Sequence, residues 1–273
     1  MDRVTKDAPV LEFRVSTWYG DRQVLAEAEG ELRAGEAVSL VGLSGSGKST
    51  LALGLLGLLR YRGGRLSGSV RLCGRELCEA SERELRDVRG RLLGYVPQNA
   101  AAALNSRLRV RVLLEETWRA HETRRPPDGL WEDLLRNVQL PANTDFLDQR
   151  AGELSTGQGQ RLLIALAAMH NPKVLIADEP TSALDAITQA AILDLFRDLS
   201  RRRNIALFFI SHDLLSVASI SSRVSILHQG RIVESGPPDR IFLAPQHPFT
   251  QELVAAMPAK PAFDEMVSRM DAR

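Results

Sequence analysis

The sequence predicts an α/β fold built on a parallel central sheet. Strongly apolar segments of strand length, at residues 174–177 and 205–210, are separated by a helical segment around residues 190–199. Strands that alternate with helices favour a parallel sheet, because each return to the same edge of the sheet needs a crossover segment. A long helical block, at about residues 100–170, interrupts the alternation. The sequence therefore also predicts an inserted helical subdomain.

Length, composition and charge suit one large domain with such an insertion. The chain has 273 residues, which is enough to bury a sizeable core. Its formal net charge is +1, so no strong field directs it to nucleic acid or anionic lipid. Residues 1–9 are polar and lack the apolar region of a signal peptide. Cys73 and Cys78 match neither C-x-x-C nor a zinc pattern, so a reduced, cytosolic protein is expected.

The remaining elements follow from local patterns. The longest apolar runs, residues 51–59 and 162–169, are far shorter than the ~20 residues of a membrane-spanning helix, so any membrane role is expected to go through a partner. Leucine and tryptophan at three- and four-residue spacing predict helices near residues 113–118 and 131–138, with a loop at residues 125–129. The other predicted strands lie at residues 10–15, 37–41, 69–72 and 92–98.

A glycine-rich loop at residues 42–50, G-L-S-G-S-G-K-S-T, fits the phosphate-binding pattern G-x-x-x-x-G-K-[ST]. It lies between a predicted strand and a helical run, which is the context that the pattern requires. Glycines let backbone N–H groups wrap around a phosphate, and the next helix N-terminus adds partial positive charge. Lys48 is expected to reach the outer phosphates, and Ser49 to bind Mg²⁺. The nucleotide-binding residues predicted in this loop are Gly42, Ser44, Gly45, Ser46, Gly47, Lys48, Ser49 and Thr50.

Polar residues follow three of the predicted strands. Parallel strands present the residues at their carboxyl ends to the ligand crevice. Asp178 is placed to hold Mg²⁺ through its waters, and Glu179 to polarise an attacking water as a general base. His212 is placed to contact a γ-phosphate and to bridge to Glu179, and Gln98 to touch metal and water. Taken alone, His212 and Gln98 are better explained as ordinary polar residues at strand ends, and their functional interpretation depends on the other motifs.

A helix start at residues 154–161, L-S-T-G-Q-G-Q-R, admits two interpretations. Ser155 and Gln158 fit the S-x-x-Q capping box, which explains the segment as a well-capped helix. A helix N-terminus that presents serine and glycine is also an anion site. The local sequence supports both.

In this order, the elements resemble the nucleotide-binding subunit of ATP-binding-cassette (ABC) proteins, over nearly the whole chain. The glycine loop resembles Walker A, and residues 174–179 resemble Walker B with its catalytic glutamate. By the same resemblance Gln98 is the Q-loop glutamine, Asp185 belongs to the D-loop, and His212 is the switch histidine. Each motif is weak alone, whereas their joint order is specific.

The segment at residues 155–161 is similar to the family's LSGGQ signature. Ser155 and Gly157, to which the resemblance assigns contacts with a γ-phosphate, are kept, and so is Gln158. Thr156 stands where the family usually has glycine, so its β-branched side chain needs room at a dimer seam. The change is expected to alter function rather than to abolish it.

The resemblance implies a P-loop NTPase parallel-sheet core with an N-terminal antiparallel β subdomain and an inserted α-helical subdomain. Residues 1–258 would form this single domain, and residues 259–273 a C-terminal tail. Tyr19 falls where the family places an aromatic residue that stacks on adenine, and Trp18 is the alternative. The implied ligands are ATP and Mg²⁺.

The resemblance also implies a mechanism shared between two chains. Two cassettes pair head to tail, and each ATP lies between the Walker A loop of one chain and the signature helix of the other. Binding closes the pair, and hydrolysis at Glu179 reopens it. This chain carries one set of motifs, so the expected partner is a second cassette, identical or related.

The finer resemblance is to the importers of peptides and nickel. Three segments are similar to that branch, at residues 103–105, 230–236 and 245–250. The last of them contains the H-P-[YF]-T motif. The implied partners are membrane permease subunits on the cytoplasmic face of the inner membrane and, indirectly, a solute-binding protein. No nucleic acid and no iron–sulfur cluster are expected.

The leading hypothesis is thus an importer ATPase. The alternative is a soluble accessory ATPase of a cytosolic enzyme complex such as carbon–phosphorus lyase. An interaction module without activity is disfavoured by the intact Lys48, Asp178, Glu179 and His212. The sequence does not identify the transported solute, or whether the second cassette is identical.

Overall fold

The computed structural model describes residues 8–257 and confirms the predicted α/β class. It contains an antiparallel sheet and a mixed sheet with a parallel core. The strands are β1 Leu11–Tyr19, β2 Arg22–Leu32, β3 Ala37–Val41, β4 Gly64–Leu72, β5 Arg75–Glu76, β6 Leu93–Val96, β7 Val174–Asp178, β8 Ala206–Ser211, β9 Arg223–His228 and β10 Arg231–Gly236.

The helices connect and cover these sheets. They are α1 Lys48–Leu55, α2 Glu82–Val88, α3 Ala100–Ala103, α4 Val110–Arg119, α5 Leu130–Asn137, α6 Thr144–Asp148, α7 Thr156–Ala168, α8 Ala186–Arg203, α9 Leu214–Ile220, α10 Pro238–Leu243 and α11 Pro248–Ala255. Short 3₁₀ turns lie at Leu59–Arg62 and Ala151–Glu153. Within residues 8–257, no helix is long and apolar enough to cross a membrane.

The antiparallel sheet has the strand order β2-β1-β4-β5, and the larger sheet has the order β10-β9-β3-β8-β7-β6. In the larger sheet β9, β3, β8, β7 and β6 run parallel, and β10 pairs antiparallel with β9. The loops after β3, β7 and β8 therefore meet at one edge of the sheet. This edge carries the predicted phosphate loop, acidic pair and histidine.

Alternation along the central strands fills two cores, one on each face of the larger sheet. Phe208 of β8 joins the core shared with the antiparallel sheet, and its ring meets Phe13 edge to face at 6.0 Å between centroids. The next residue, Phe209, points to the opposite core and meets Phe196 of α8 at 5.9 Å. Strands buried on both faces are continuously apolar, which is why β7 and β8 are evident in the sequence.

Several strands of the structure are not predicted, or are predicted too short, from the sequence. The predicted strand at residues 10–15 extends to Tyr19 and pairs with β2. The sequence of β2 contains several charged residues, so it lacks a clear alternation of apolar and polar residues. The segment at residues 230–236 forms β10, an edge strand with one buried residue in six. The helices α3–α7 lie within the predicted helical block, whereas its boundaries as a subdomain remain a prediction. The predicted tail at residues 259–273 lies outside the described residues.

Candidate functional site

The glycine loop joins the end of β3 to the start of α1 and follows a path that glycine permits. Gly47 has φ +108° and Gly45 has φ +79°, in the left-handed region that L side chains avoid. A Cβ atom on Gly42 would lie 2.4 Å from the Leu227 carbonyl oxygen, so the loop lies against β9. The Ser46 hydroxyl is buried and has no hydrogen-bond partner among the described residues. A buried donor without a partner is unfavourable, so the loop suits an anion that accepts from it.

Lys48 is buried at the floor of this loop, with 5% of its side chain exposed. Its Nζ donates to the carbonyl oxygens of Gly42, at 2.9 Å, and Leu43, at 3.1 Å. The same ammonium lies 3.6 Å from Glu179 Oε1, with which it forms an ion pair. A buried charge needs such partners, because burial removes its hydration. Lys48 thus links the loop to the acidic end of β7.

Asp178 ends β7 directly beside α1. The hydroxyl of Ser49 donates to Asp178 Oδ1 at 3.2 Å, and the phenol of Tyr95 donates to Oδ2 at 3.4 Å. Burial raises the pKa of Asp178, although hydrogen bonds from Ser49 and Tyr95 oppose the rise. Burial and the nearby Asp178 carboxylate likewise raise the pKa of Tyr95.

The neighbouring hydroxyl and carboxylate oxygens fit Mg²⁺, which prefers oxygen ligands and is held by one or two carboxylates together with substrate phosphates. Ser49, Asp178 and the amide oxygen of Gln98 are the residues that would hold it. No group of three or more histidine, cysteine, aspartate or glutamate residues in the described chain would hold a metal without help. A hydroxyl, a carboxylate and an amide oxygen fit a metal that is also bound by a substrate phosphate.

Glu179 is the point at which the predicted catalytic residues meet. Its Oε2 accepts from Gln98 Nε2 at 3.1 Å and lies 3.1 Å from His212 Nδ1. Only 16% of the Glu179 side chain is exposed, against 59% of His212. The backbone of Glu179 is left-handed, with φ +46°. Three loops that are distant in sequence thus converge on one carboxylate.

The start of α7 confirms the predicted capping box. Ser155 Oγ accepts from the Gln158 N–H at 3.2 Å, and the Ser155 N–H donates to Gln158 Oε1 at 2.9 Å. A Cβ atom on Gly157 would lie 2.8 Å from a methyl group of Thr188, so glycine allows α7 to approach α8. Thr156 is exposed. The helix start is thus satisfied locally while Ser155 and Thr156 face solvent.

Asp185 acts here as the N-cap of α8. Its carboxylate accepts from the N–H groups of Ile187, at 3.1 Å, and Thr188, at 3.0 Å, and from the Thr188 hydroxyl at 2.7 Å. The Thr188 N–H and hydroxyl hold the pKa of Asp185 below its usual value. Its predicted contact with nucleotide remains a prediction.

The two aromatic candidates lie on opposite faces of β1. Tyr19 pairs with Gly64 of β4, on the face whose Leu66 contacts Gly54 of α1. Trp18 is on the other face, where the guanidinium of Arg65 lies 4.4 Å from its ring centroid. Tyr19 therefore lies on the same face of the sheet as Leu66, and Trp18 lies on the opposite face. This placement favours Tyr19 as the adenine-stacking residue.

Two residues beside the site, Tyr95 and Gln189, are not predicted from the sequence. Tyr95 bonds to Asp178 from the neighbouring strand β6. Gln189 of α8 donates to Asp213, next to His212. A tyrosine within a predicted strand and a glutamine within a helix carry no local signal, so only the sheet order and helix packing identify them.

The fold and site define a P-loop nucleotide-binding α/β protein, with a phosphate loop after one parallel strand and an acidic pair after another. The sequence model of the family described as "ABC transporter" matches residues 25–182 of this chain. OppD, an oligopeptide transport ATP-binding protein of Bacillus subtilis, is 37% identical over 94% of this chain and 74% of its own. DppD, a dipeptide transport ATP-binding protein of Escherichia coli, is 36% identical over 90% and 77%. The chain therefore belongs to the ABC transporter family and is one of its ATPases.

Solved structures agree in fold. CbiO1 of Clostridium perfringens, part of the ABC transporter complex cbiONQ, superposes with a TM-score of 0.74 at 25% identity, over 87% of this chain and 92% of CbiO1. A dimeric ATP-binding cassette in a post-hydrolysis state, bound to ADP and Pi, superposes with a TM-score of 0.71 at 24% identity, over 84% and 98%.

Proposed function

We propose that this protein is the ATP-hydrolysing subunit of an importer of peptides or related small solutes, bound to a permease at the cytoplasmic face of the membrane. The convergence of Gln98, Lys48 and His212 on Glu179 carries the catalytic part of the proposal. The similarity to oligopeptide and dipeptide transport proteins over most of the chain supports the importer part. Nickel remains a further candidate solute through the branch resemblance.

In this proposal Glu179 accepts the proton of the attacking water. Gln98 and His212 share Oε2 of Glu179, and Lys48 lies near Oε1, so the carboxylate is held in one orientation. A general base that is already oriented lowers the activation barrier of hydrolysis, because less entropy is lost when the reacting atoms align. Mg²⁺, when bound, would neutralise phosphate charge.

Substrate binding requires a change at Lys48. Its ammonium is now bonded to two carbonyl groups of the phosphate loop and paired with Glu179. A phosphate group would replace these partners with stronger, charge-assisted hydrogen bonds. The exchange would also free Glu179 Oε1 to face water. Nucleotide binding and assembly of the base are thus linked through one ammonium.

A second cassette completes the proposed site. Ser155 and Thr156 are exposed at the N-terminus of α7, and the hydroxyl proton of Ser155 is not required by its cap. That end of the helix can therefore donate to an anion presented by another molecule. The fold neighbour bound to ADP and Pi is dimeric, which supports a pair of cassettes. The partner would be a second copy or a related chain.

The variant Glu179→Gln tests the catalytic assignment. The amide keeps the shape of the side chain but cannot take a proton, so steady-state hydrolysis should fall at least ~100-fold, the size of a general-base effect. ATP binding should persist, and ATP-dependent dimers should accumulate because the pair no longer reopens. Turnover is measured by phosphate release and dimerisation by analytical ultracentrifugation. Glu79→Gln, an exposed change next to β5 of the antiparallel sheet, is the control; near wild-type turnover in Glu179→Gln would remove Glu179 from the mechanism.

Affinity purification from detergent-solubilised membranes tests the importer assignment. Recovery of a multispanning permease supports transport, and a binding protein for peptides rather than for nickel would narrow the solute. Recovery of soluble enzyme subunits alone would contradict an importer and favour the accessory ATPase of a cytosolic complex.

A further inference from the structure

Gln189 joins two elements beside the proposed hydrolytic site. It lies in the first turn of α8, and its side-chain amide is half-buried between α8 and α9. Its Nε2 donates to Asp213 Oδ2 at 2.7 Å and to Ser216 Oγ at 2.6 Å. Both protons of the amide group therefore have an acceptor, and one acceptor carries a charge. Hydrogen bonds to a charged group are roughly twice as strong as those between neutral groups.

On the α8 side, Gln189 is tied to the residues that precede the helix. Its backbone N–H donates to the Asp185 carbonyl oxygen at 2.8 Å, and the Asp185 carboxylate caps the helix. The adjacent Thr188 packs against the start of α7, because its methyl group would lie 2.8 Å from a Cβ atom on Gly157. A shift of this helix start would move both the loop at residues 182–185 and the start of α7.

On the α9 side, Gln189 holds the residue that follows His212. The Asp213 N–H donates to Ser211 Oγ at 3.0 Å, and Asp213 Oδ1 accepts from the Leu215 N–H at 3.1 Å. Asp213 Oδ2 accepts from Gln189 and from Ser216. The carboxylate is thus fixed at both oxygens, and His212 is held one residue away from it, 3.1 Å from Glu179 Oε2.

We propose that Gln189 is a positioning residue, which sets His212 against Glu179 and couples that geometry to the starts of α7 and α8. The proposal rests on the proposed roles of Glu179 and His212. Gln189 has no hydrogen bond to either residue, so it acts through Asp213 and Ser216. Misplacement of a catalytic group by about 1 Å lowers turnover severely even when substrate binding is intact.

The variant Gln189→Met tests the hydrogen bonds. Methionine has a similar length and flexibility but no amide, so Asp213 loses a donor while the packing is kept. We expect kcat for ATP hydrolysis to fall roughly tenfold, with KM and ATP affinity unchanged, because a misplaced His212 supports the transition state less well while the ATP site is intact. Ala190→Met, at the exposed neighbouring position, is the control and should behave as wild type. An unchanged kcat in Gln189→Met would overturn the proposal.

The variant Gln189→Glu gives a pH signature that a loss of packing would not produce. Two facing carboxylates repel, so the pKa of the pair rises, and a shared proton restores the hydrogen bond at low pH. We expect kcat of this variant to approach wild type near pH 5.5 and to decline as pH rises, relative to wild type at each pH. Other titratable groups near this junction are Asp185, His212 and Arg197, whose Nη2 donates to the Ser219 carbonyl oxygen on α9 and which is paired with Asp194. All four are present in the wild type, so their effect cancels in the ratio of the variant's kcat to the wild-type kcat.

The paired exchange Gln189→Glu with Asp213→Asn completes the test. It reverses the hydrogen bond, because the introduced amide donates to the introduced carboxylate, and asparagine still serves as an N-cap for α9. Recovery of kcat towards wild type across the pH range supports the proposal. Recovery of thermal stability without kcat would overturn it by showing a purely structural role. If Glu179→Gln abolishes turnover while all Gln189 variants turn over normally, only the positioning role is wrong.

Discussion

At the scale of single residues, Glu179 combines a left-handed backbone with a side chain at the centre of the site. Its φ of +46° is unusual for a residue with a side chain, and such conformations cost of order 1–3 kcal/mol. The surrounding bonds hold it there: its N–H donates to the Ile210 carbonyl oxygen at 2.9 Å, and its own carbonyl oxygen accepts from Ser182 Oγ at 3.1 Å. The turn directs the carboxylate toward Lys48 and His212 rather than along the strand.

Replacement of Lys48 by alanine should weaken ATP binding. The ammonium supplies charge-assisted hydrogen bonds to phosphate, so we expect the Kd to rise by about 30-fold or more, equivalent to ~2 kcal/mol. Isothermal titration with a non-hydrolysable ATP analogue measures the change. Lys173→Ala, an exposed lysine before β7, removes the same charge away from the loop and serves as the control. Equal affinities for the two variants would place Lys48 outside the binding site.

Replacement of Tyr19 by alanine should also weaken nucleotide binding. Its ring lies beside Gly64, and stacking of a base on an aromatic ring contributes about 1–3 kcal/mol. Tyr19→Phe should retain the affinity, because the ring remains. Trp18→Ala, on the opposite face of β1, should bind ATP normally, whereas a loss confined to Trp18→Ala would reverse the assignment.

At the scale of elements, the H-P-F-T motif forms the junction between the β9–β10 hairpin and α11. His247 Nδ1 accepts from the Phe249 N–H at 3.2 Å, and the Phe249 ring stacks on His228 at 3.8 Å. Burial would raise the pKa of Glu234, but hydrogen bonds from the backbone N–H groups of Gln246 and His247 lower it overall. The motif thus fixes the last described helix to the hairpin whose first strand lies against Gly42.

The hairpin formed by β4 and β5 should lose stability in acid through Glu76. Burial opposes ionisation, but hydrogen bonds from Ser69 and from the N–H groups of Val70 and Cys78 lower the pKa of Glu76 from 4.5 to about 2. A lowered pKa contributes stability that is present above 4.5 and is lost as pH falls toward 2. The difference in unfolding free energy between wild type and Glu76→Gln should shrink over this window. A difference independent of pH, measured by urea unfolding, would contradict the account.

At the scale of the whole molecule, Phe208 connects the two sheets. It is buried and packs against Phe13 of the antiparallel sheet. Truncation to alanine should lower the free energy of unfolding by about 3–5 kcal/mol, because it removes the contacts and leaves a cavity. Denaturant unfolding measures the loss, and Tyr61→Ala, with 61% of the residue exposed, should cost little. A similar small cost for Phe208→Ala would show that the sheets are joined elsewhere.

The sequence by itself determined the class of fold, the phosphate loop and the acidic pair, because each depends on contiguous residues. Residues 42–50 and 174–179 carry their chemistry in one stretch, and both faces of β7 and β8 are buried, so these strands are continuously apolar. The bridge from His212 to Glu179 is expected from the strand ends, but the tertiary structure alone decided which other separated residues meet. Sheet order brings Gln98 to the same carboxylate, the pleat puts Tyr19 and Trp18 on opposite faces of β1, and helix packing puts Gln189 beside Asp213. Such contacts depend on the register and packing of distant segments, for which a linear sequence carries no local signal.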